Sequence, residues 1–168
     1  KMNGTEIMNQ ATWAHPDFFL YFGFGGKDES NIPLLQPGQP TFHHGSTIHL
    51  FAEAMGVEVE KITESHRLIY ADETFRIGEG VVEKGTVSGM HYEVHGIVRG
   101  EPVINIGHVI KLRDQDFAEL EFRGGGYRFD IEGEPQLRLD FNFNRTAGNH
   151  MDGLYQCCAM AAVNVIPQ

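Results

Sequence analysis

The chain has 168 residues and a mass of 18.8 kDa, which is enough for one domain with a substantial hydrophobic core. Its 41% hydrophobic and 21% charged residues are typical of a water-soluble domain, and its 20 glycines exceed the average share and indicate many turns. The net charge of −10 excludes a basic surface, so we expect neither nucleic acid nor a membrane as a partner.

The sequence carries no recognisable targeting or membrane-spanning segment, because no apolar run approaches ~20 residues and the first residues lack the pattern of a signal peptide. We therefore expect a cytoplasmic protein. The two cysteines, Cys157 and Cys158, are adjacent, which excludes a disulfide-built scaffold and a Cys-x-x-Cys motif. Neither end resembles a natural domain boundary, so we expect a piece of a longer protein.

The first 45 residues are predicted to be irregular and aromatic, with a Gly-Phe-Gly-Gly run at residues 23–26. Residues 27–40 are polar and contain prolines, which predicts a long surface loop. The clearest helix covers residues 46–56, because a Gly-Ser-Thr start precedes apolar residues at helical spacing and a glycine follows them.

From residue 57 onward the hydrophobic period changes to two, which is typical of strands with one apolar face. Two β-hairpins are predicted, residues 91–98 with 103–112 and residues 127–132 with 137–144, each turning on Gly-Glu-Pro. Residues 152–165 carry an apolar stripe suited to a helix packed on the sheet. We therefore predict an α+β fold with a largely antiparallel sheet, covered on one face by two or three helices, whose other face is available for subunit contacts.

The glycine-rich segments do not fit a nucleotide-binding motif. Such a motif needs a strand, a glycine-rich turn and a helix in that order, whereas residues 23–26 lack both neighbours and residues 124–126 lie between two predicted strands. We therefore expect this domain to bind no cofactor alone. Hydrolase chemistry also lacks support, because there is no Gly-x-Ser-x-Gly sequence and no cysteine in a suitable context near a histidine.

Three residues of one predicted strand, His91, Glu93 and His95, share a face and could contribute to a metal site if a neighbouring strand supplied another ligand. No second cluster of ligands accompanies them, so we predict no metal. We interpret these residues as a solvated or subunit-contacting face.

Three other histidines are candidates for polar contacts with a ligand. His44 precedes the predicted helix, where backbone amides would keep its ring neutral, although a capping-loop histidine without a role is an equal alternative. For His66, a structural pair of Glu64 with Arg67, or a cross-strand pair, is the simpler interpretation of its segment. His108 interrupts an apolar strand face, where it is either a hydrogen-bonded core residue or a polar group beneath a ligand.

Aromatic residues near the start of the chain form a second candidate group. They could belong to an ordinary core, but their place on an irregular segment beside a long loop favours the wall of an apolar pocket. The residues in question are Trp13, Tyr21, Phe22 and Phe24.

Segments that resemble a known family run through most of the chain in a fixed order. They begin with Phe-His-His-Gly-Ser and end with Ala-Ala-Val-Asn-Val-Ile-Pro, and they cover residues 42–46, 50–59, 82–89, 96–104, 131–135 and 161–167. This ordered set resembles the C-terminal domain of dihydrodipicolinate-reductase-like oxidoreductases. Within them it is most similar to the branch of 2,4-diaminopentanoate dehydrogenase and native amine dehydrogenases.

The resemblance implies a two-domain enzyme in which an N-terminal Rossmann domain binds NAD(P)H and the C-terminal sheet domain supplies the substrate pocket and the subunit contacts. Residues 1–168 would then be the substrate, catalytic and oligomerisation domain, without the Rossmann domain, and a homodimer is expected. The glutamate that this branch uses at the edge of its cofactor domain matches no position here, so the catalytic residue is unassigned. The pocket would comprise Trp13, Tyr21, Phe22, Phe24, His44, His66 and His108.

The implied reaction is reversible: a ketone or aldehyde, ammonia and NAD(P)H give an amine and NAD(P)⁺. The isolated domain is expected to be inactive without its cofactor domain. The alternative is a binding or dimerisation module without chemistry, in which the face carrying His91, Glu93 and His95 would form an isologous contact.

Overall fold

The computed structural model describes residues 1–9, 16–78, 80–120 and 125–142. Trp13, the helix predicted at residues 152–165 and the two cysteines lie outside the described residues.

The described ranges contain two α-helices, three short 3-10 helices and eight strands. The helices are α1 (Pro16–Phe22) and α2 (Gln39–Met55), and the 3-10 helices are Glu29–Asn31, Pro33–Leu35 and Asp114–Leu120. The strands are β1 (Met2–Asn9), β2 (Lys61–Tyr70), β3 (Phe75–Ile77), β4 (Gly80–Val82), β5 (Val87–Val98), β6 (Glu101–Lys111), β7 (Gly126–Ile131) and β8 (Leu137–Asn142).

Six strands form the main sheet in the order β2-β5-β6-β1-β7-β8, and β3 pairs with β4 in a separate ribbon. Every neighbouring pair in the main sheet is antiparallel except β1 with β6, which run parallel. The predicted α+β class with a largely antiparallel sheet is confirmed, and so are both predicted hairpins, β5 with β6 and β7 with β8.

The prediction that residues 1–45 are irregular is wrong, because β1 lies in the middle of the sheet between β6 and β7. The sequence of β1, Met-Asn-Gly-Thr-Glu-Ile-Met-Asn, mixes polar and apolar residues on both faces. A strand covered by neighbours on both edges gains its hydrogen bonds from long-range pairing, which no local alternation reports. The predicted loop at residues 27–40 likewise holds two 3-10 helices and the first turn of α2.

The helix α2 begins at Gln39 rather than at residue 46, because its N-terminal cap comes from another element. Gly38 offers no capping side chain. The carboxylate of Glu64 on β2 instead accepts hydrogen bonds from the backbone N–H of Gly38 at 3.1 Å, from that of Thr41 at 2.8 Å and from the Thr41 hydroxyl. Burial alone would raise the pKa of Glu64, but these hydrogen bonds hold it below its ordinary value.

One face of the sheet, here called the inner face, is the face on which α2 packs. Ile48 and Ala52 of α2 lie against Val94, Ile104 and Ile106 in one buried cluster. A side chain at Gly96 would place its Cβ 2.6 Å from Cγ2 of Ile48, so a glycine is required for this approach. A second cluster joins α1 and the region of the first two 3-10 helices to the sheet. It includes Phe22, Phe24, Ile32, Leu34, Met90 and Ile110. Among the described residues, no helix is long and apolar enough to cross a membrane.

The opposite face, here called the outer face, carries a ladder of hydrogen-bonded polar side chains across four strands. Ser65 Oγ lies 2.8 Å from His95 Nε2, His95 Nδ1 lies 2.7 Å from Asn105 Oδ1, and Asn105 Nδ2 donates to Asn3 Oδ1 at 2.6 Å. The satisfied partners explain how Asn105 can be buried. One end of the face is covered by Phe117 of the third 3-10 helix, which packs with Ile7, Val109 and Ile69.

The pair of Glu64 with Arg67 considered from the sequence is not formed. The two residues lie three positions apart in one strand, so their side chains point to opposite faces. Arg67 instead bonds Glu119 at 2.6 Å, and Glu64 caps α2.

Candidate functional site

A row of polar side chains crosses the inner face at one register. His66 on β2 is paired with Tyr92 on β5, Tyr92 with His108 on β6, His108 with Glu6 on β1, and Glu6 with Tyr127 on β7. We call these five residues the polar row. Since residues paired on neighbouring strands point to the same side, the row brings a carboxyl, two imidazoles and two phenols together on an otherwise apolar face.

The buried hydroxyl of Tyr92 is the centre of the row. It lies 3.1 Å from Nδ1 of His108 in the sheet and 2.9 Å from Nε2 of His44 on α2. The phenol has a single proton, so it donates to one imidazole and accepts from the other. Tyr92 therefore connects the helix to the sheet floor and fixes the orientation of both rings.

Both imidazoles are held neutral at neutral pH. Burial, assisted by the neighbouring His108, lowers the pKa of His44 to about 4. Burial also lowers the pKa of His108 to about 3. A neutral imidazole offers one donor and one acceptor, so each ring can both give and take a hydrogen bond at neutral pH.

The carboxyl of the row belongs to Glu6. Its Oε1 accepts a hydrogen bond from the Tyr127 hydroxyl at 3.2 Å, and its Oε2 lies 3.8 Å from Nδ1 of His108. Burial raises the pKa of Glu6 above its ordinary value, while the Tyr127 bond and the nearby His44 partly oppose that rise. Burial also raises the pKa of Tyr92, and the negative charge of Glu6 adds to the rise. The region is one in which a proton can move between several acceptors.

The predicted histidines divide into two groups. His44 and His108 are brought together through Tyr92, with ring centroids 5.9 Å apart. His66 shares the row but turns to the chain before α2, where its Nε2 lies 2.5 Å from Oε1 of Glu29. A role for His66 in ligand binding stays a prediction.

The predicted aromatic wall is placed in two environments. Tyr21 bonds Nε2 of His43 at 2.7 Å and so lies next to the N-terminal half of α2. Phe22 and Phe24 are buried in the core cluster beneath α1, which is the alternative considered from the sequence. Trp13 lies outside the described residues, so the pocket wall remains a prediction.

Three residues of the site, Glu6, Tyr92 and Tyr127, are not found by sequence reasoning. Glu6 is missed because β1 is predicted to be irregular. Tyr92 and Tyr127 occupy apolar positions of the strand alternation, so the pattern does not distinguish them from core residues. The signal that finds Tyr92 is its alternation phase, because the strand pairing places it opposite His108.

The described residues do not fit the phosphates of a dinucleotide. Gly25 and Gly26 pair with Val87 through backbone hydrogen bonds of 2.9 Å, so the glycine run extends the sheet edge instead of forming an anion cradle. The N-terminus of α2 is occupied by the carboxylate of Glu64, whose charge repels phosphate. A cofactor of that kind would have to be held by residues outside the described ranges.

The described residues also contain no group of three or more histidine, cysteine, aspartate or glutamate side chains placed to hold a metal ion. His95 is committed to Ser65 and Asn105, and His91 lies over Gly107, whose added Cβ would be 2.8 Å from the His91 Nε2. The two histidines make separate contacts on the outer face.

A separate cleft of about 550 Å³ lies at the end of β1, β7 and β8. It is lined by Asn3, Asp130, Ile131, Glu132, Gln136, Leu137 and Arg138. Two of its charged residues are paired, since Arg138 bonds Asp130 at 2.6 Å. The cleft does not include the polar row.

A family model described as the 2,4-diaminopentanoate dehydrogenase C-terminal domain matches residues 36–168. The chain belongs to this family.

Two relatives are similar over most of this chain. An amine dehydrogenase from Streptomyces virginiae is 33% identical over 156 residues, which are 86% of this chain and 43% of that protein. The solved structure of an amine dehydrogenase from Mycobacterium smegmatis has the same fold, with a TM-score of 0.65 at 18% identity, over 86% of this chain and 42% of that chain. The chain thus spans less than half the length of these relatives.

Proposed function

We propose that this chain is the substrate-binding domain of an NAD(P)-dependent amine dehydrogenase. The reaction would be the reversible oxidation of a CH–NH2 group to a carbonyl compound and ammonia, with the nicotinamide carrying the hydride. Membership in the family and the amine dehydrogenase named among its relatives support the reaction class. The ketone or aldehyde would be a small molecule, and the cofactor would be bound outside the described residues.

The observation that carries the proposal is the link from His44 through Tyr92 to His108. Amine oxidation releases a proton and passes through species that differ in the protonation of nitrogen and oxygen. A network of one phenol and two neutral imidazoles can pass a proton to or from these species without carrying a fixed charge. The apolar clusters around the row would exclude water, which competes with imine formation.

Turnover by the polypeptide as its gene encodes it tests this proposal. Amine-dependent reduction of NAD⁺ and NADP⁺ should be measured for that polypeptide and, in parallel, for the 168-residue chain. The 168-residue chain is expected to be inactive alone. His108→Gln should lower kcat/KM by about tenfold or more, because general acid–base groups contribute at least that much. His49→Gln, at an exposed position of α2, is the matched control. Cofactor binding without turnover of any amine would contradict the proposal.

We also propose that a second copy of the chain contacts the outer face. The polar ladder from Ser65 through His95 to Asn3 is hydrogen-bonded along its length on that face, and His91 and Glu93 lie beside it on β5. An isologous contact would bring these residues against their own copies. Sedimentation should show a dimer that weakens in Glu93→Arg and is unchanged in Glu58→Arg, whose site is an exposed loop. A monomer at all concentrations would overturn this idea, and a dimer with no amine turnover would favour the non-catalytic assembly module.

A further inference from the structure

The basic residues of the six main-sheet strands all lie on one face of the sheet. The six strands contain five of them, and the pairing registers place all five on the outer face: Lys61, Arg67, Lys111, Arg128 and Arg138. Neither α1 nor α2, which lie on the inner side, contains a lysine or an arginine. The inner face of the described strands therefore has no permanent cation.

Two carboxylates, Glu6 on β1 and Glu64 on β2, share the alternation phase of the polar row. Glu64 is committed to the N-terminus of α2, where it accepts from Thr41 and Gly38. Glu6 has no cationic partner among the described residues, and within them its carboxylate accepts one hydrogen bond, from the Tyr127 hydroxyl. Since the nearby imidazoles are neutral, Glu6 is a half-buried carboxylate without a counterion in the described part of the chain.

His108 supplies an independent sign of a missing ligand. The residue is 9% exposed, and its Nε2 is buried with no hydrogen-bond partner within the described part of the chain. Buried polar atoms without partners are rare, and a bound molecule is a usual explanation.

The surroundings of His108 determine which kind of partner its Nε2 lacks. The Glu6 carboxylate oxygen is 3.8 Å from Nδ1, so a lone pair on Nδ1 would face a negative charge. The proton of the neutral ring therefore belongs on Nδ1, where it donates to the Tyr92 hydroxyl, which in turn donates to His44 Nε2. Nε2 is left with its lone pair, and the missing partner is an N–H or O–H donor.

We propose that the polar row binds an ammonium group, with Glu6 as its counterion and Nε2 of His108 as a hydrogen-bond acceptor. An ammonium group brings both the charge that Glu6 lacks and the donor that His108 lacks. A carboxylate or phosphate group would meet Glu6 with no basic residue of the strands to offset it. This inference rests on the proposed function, since it says how that site would hold the nitrogen of its substrate.

The ammonium group could come from the amine substrate or from free ammonium ion, and binding to the 168-residue chain distinguishes them. Cyclohexylammonium chloride and ammonium chloride should each be titrated while amide and histidine resonances are followed by NMR, without cofactor. Tetramethylammonium chloride has the charge but no N–H donor and serves as the ligand control. Glu6→Gln is the test variant, and Glu58→Gln is the matched control at an exposed loop position.

Binding of cyclohexylammonium that Glu6→Gln weakens by tenfold or more, and that Glu58→Gln leaves unchanged, is the expected result. Stronger binding of cyclohexylammonium than of ammonium assigns the site to the substrate amine, and equal binding assigns it to the free ion. Before any ligand is added, nitrogen chemical shifts should report a proton on Nδ1 of His108. Binding that survives Glu6→Gln, equal binding of tetramethylammonium, or a proton on Nε2 would overturn the inference. Because no turnover is measured, failure here is distinct from failure of the dehydrogenase proposal.

Discussion

The hydroxyl of Tyr92 lies 3.1 Å from Nδ1 of His108, while Nε2 of the same imidazole has no partner among the described residues. Tyr92 also reaches His44 at 2.9 Å, so one phenol supports both rings. Removing that oxygen would leave two buried or half-buried nitrogens without their partner, which is more costly than the loss of an exposed hydrogen bond.

Tyr92→Phe is therefore expected to lower the free energy of unfolding by about 1–3 kcal/mol. Urea denaturation followed by circular dichroism would measure this change. Tyr70→Phe is the control, since Tyr70 is 45% exposed at the end of β2. Equal stability of both variants would mean that the Tyr92 bonds contribute nothing net.

The remote cap of α2 predicts a dependence on Glu64. Replacing this carboxylate by glutamine removes the negative charge next to the helix N-terminus and should cost about 1 kcal/mol. Because the pKa of Glu64 is lowered by folding, its contribution is present above the ordinary carboxyl pKa and is lost as the pH falls through the lowered value. The free energy of unfolding of the unmodified chain should therefore fall below about pH 4.5, and it should fall less in Glu64→Gln. Unfolding midpoints measured at pH 7 and pH 4 would show it, and Glu58→Gln should behave as the unmodified chain.

The buried imidazole of His108 predicts a second pH effect with a different window. Its pKa of about 3 in the folded chain is far below the ordinary value of 6.5, so the unfolded chain takes up the proton first. The contribution of neutral His108 to the free energy of unfolding is fully present above pH 6.5. It falls as the pH decreases, by at most about 1.4 kcal/mol per pH unit. His44 acts in the same direction. Glu6, whose pKa is raised by burial, acts in the opposite direction.

This effect is measurable between pH 7.5 and pH 5.5, a range centred on the ordinary histidine pKa of 6.5. Urea midpoints of the unmodified chain should fall across this range, and the fall should be smaller in His108→Gln. The ring resonances of His108 should not move over the same range. A pH-independent midpoint, or a ring that titrates near pH 6.5, would contradict the buried neutral imidazole.

The contact between Gly96 and Ile48 predicts a severe effect of one methyl group. In Gly96→Ala the new Cβ would lie 2.6 Å from Cγ2 of a fully buried isoleucine, and overpacking of this kind costs about 1–3 kcal/mol. Gly133→Ala has room for its Cβ and is the control. Since Ile48→Ala removes Cγ2, the double variant should lose less stability than the sum of the two single variants. Additive losses would show that the two residues do not meet.

Strand alternation and turn sequences were sufficient to predict both hairpins and the fold class, because these depend on residues close together in the chain. The same alternation placed His108 on the inner face. It could not show that Glu6 lies beside His108, since that proximity follows from a parallel pairing between residues 2–9 and 104–111. The start of α2 was missed for a similar reason: its cap, Glu64, lies 26 positions from Gly38. The resemblance predicted the family, which the matching family model confirms, whereas the row becomes visible only in the fold.

The position of β1 also has a consequence for how the protein reaches its folded state. The strand nearest the start of the chain separates β6 from β7, so the sheet is two incomplete pieces until residues 2–9 enter between them. Each of its pairings spans about a hundred residues or more, and such long-range contacts slow folding because loop closure precedes the gain in contacts. During synthesis, β1 would be made well before its partners β6 and β7 and could pair only after they are complete. The polar row would therefore be among the last features to assemble, which ties the appearance of the candidate site to completion of the sheet.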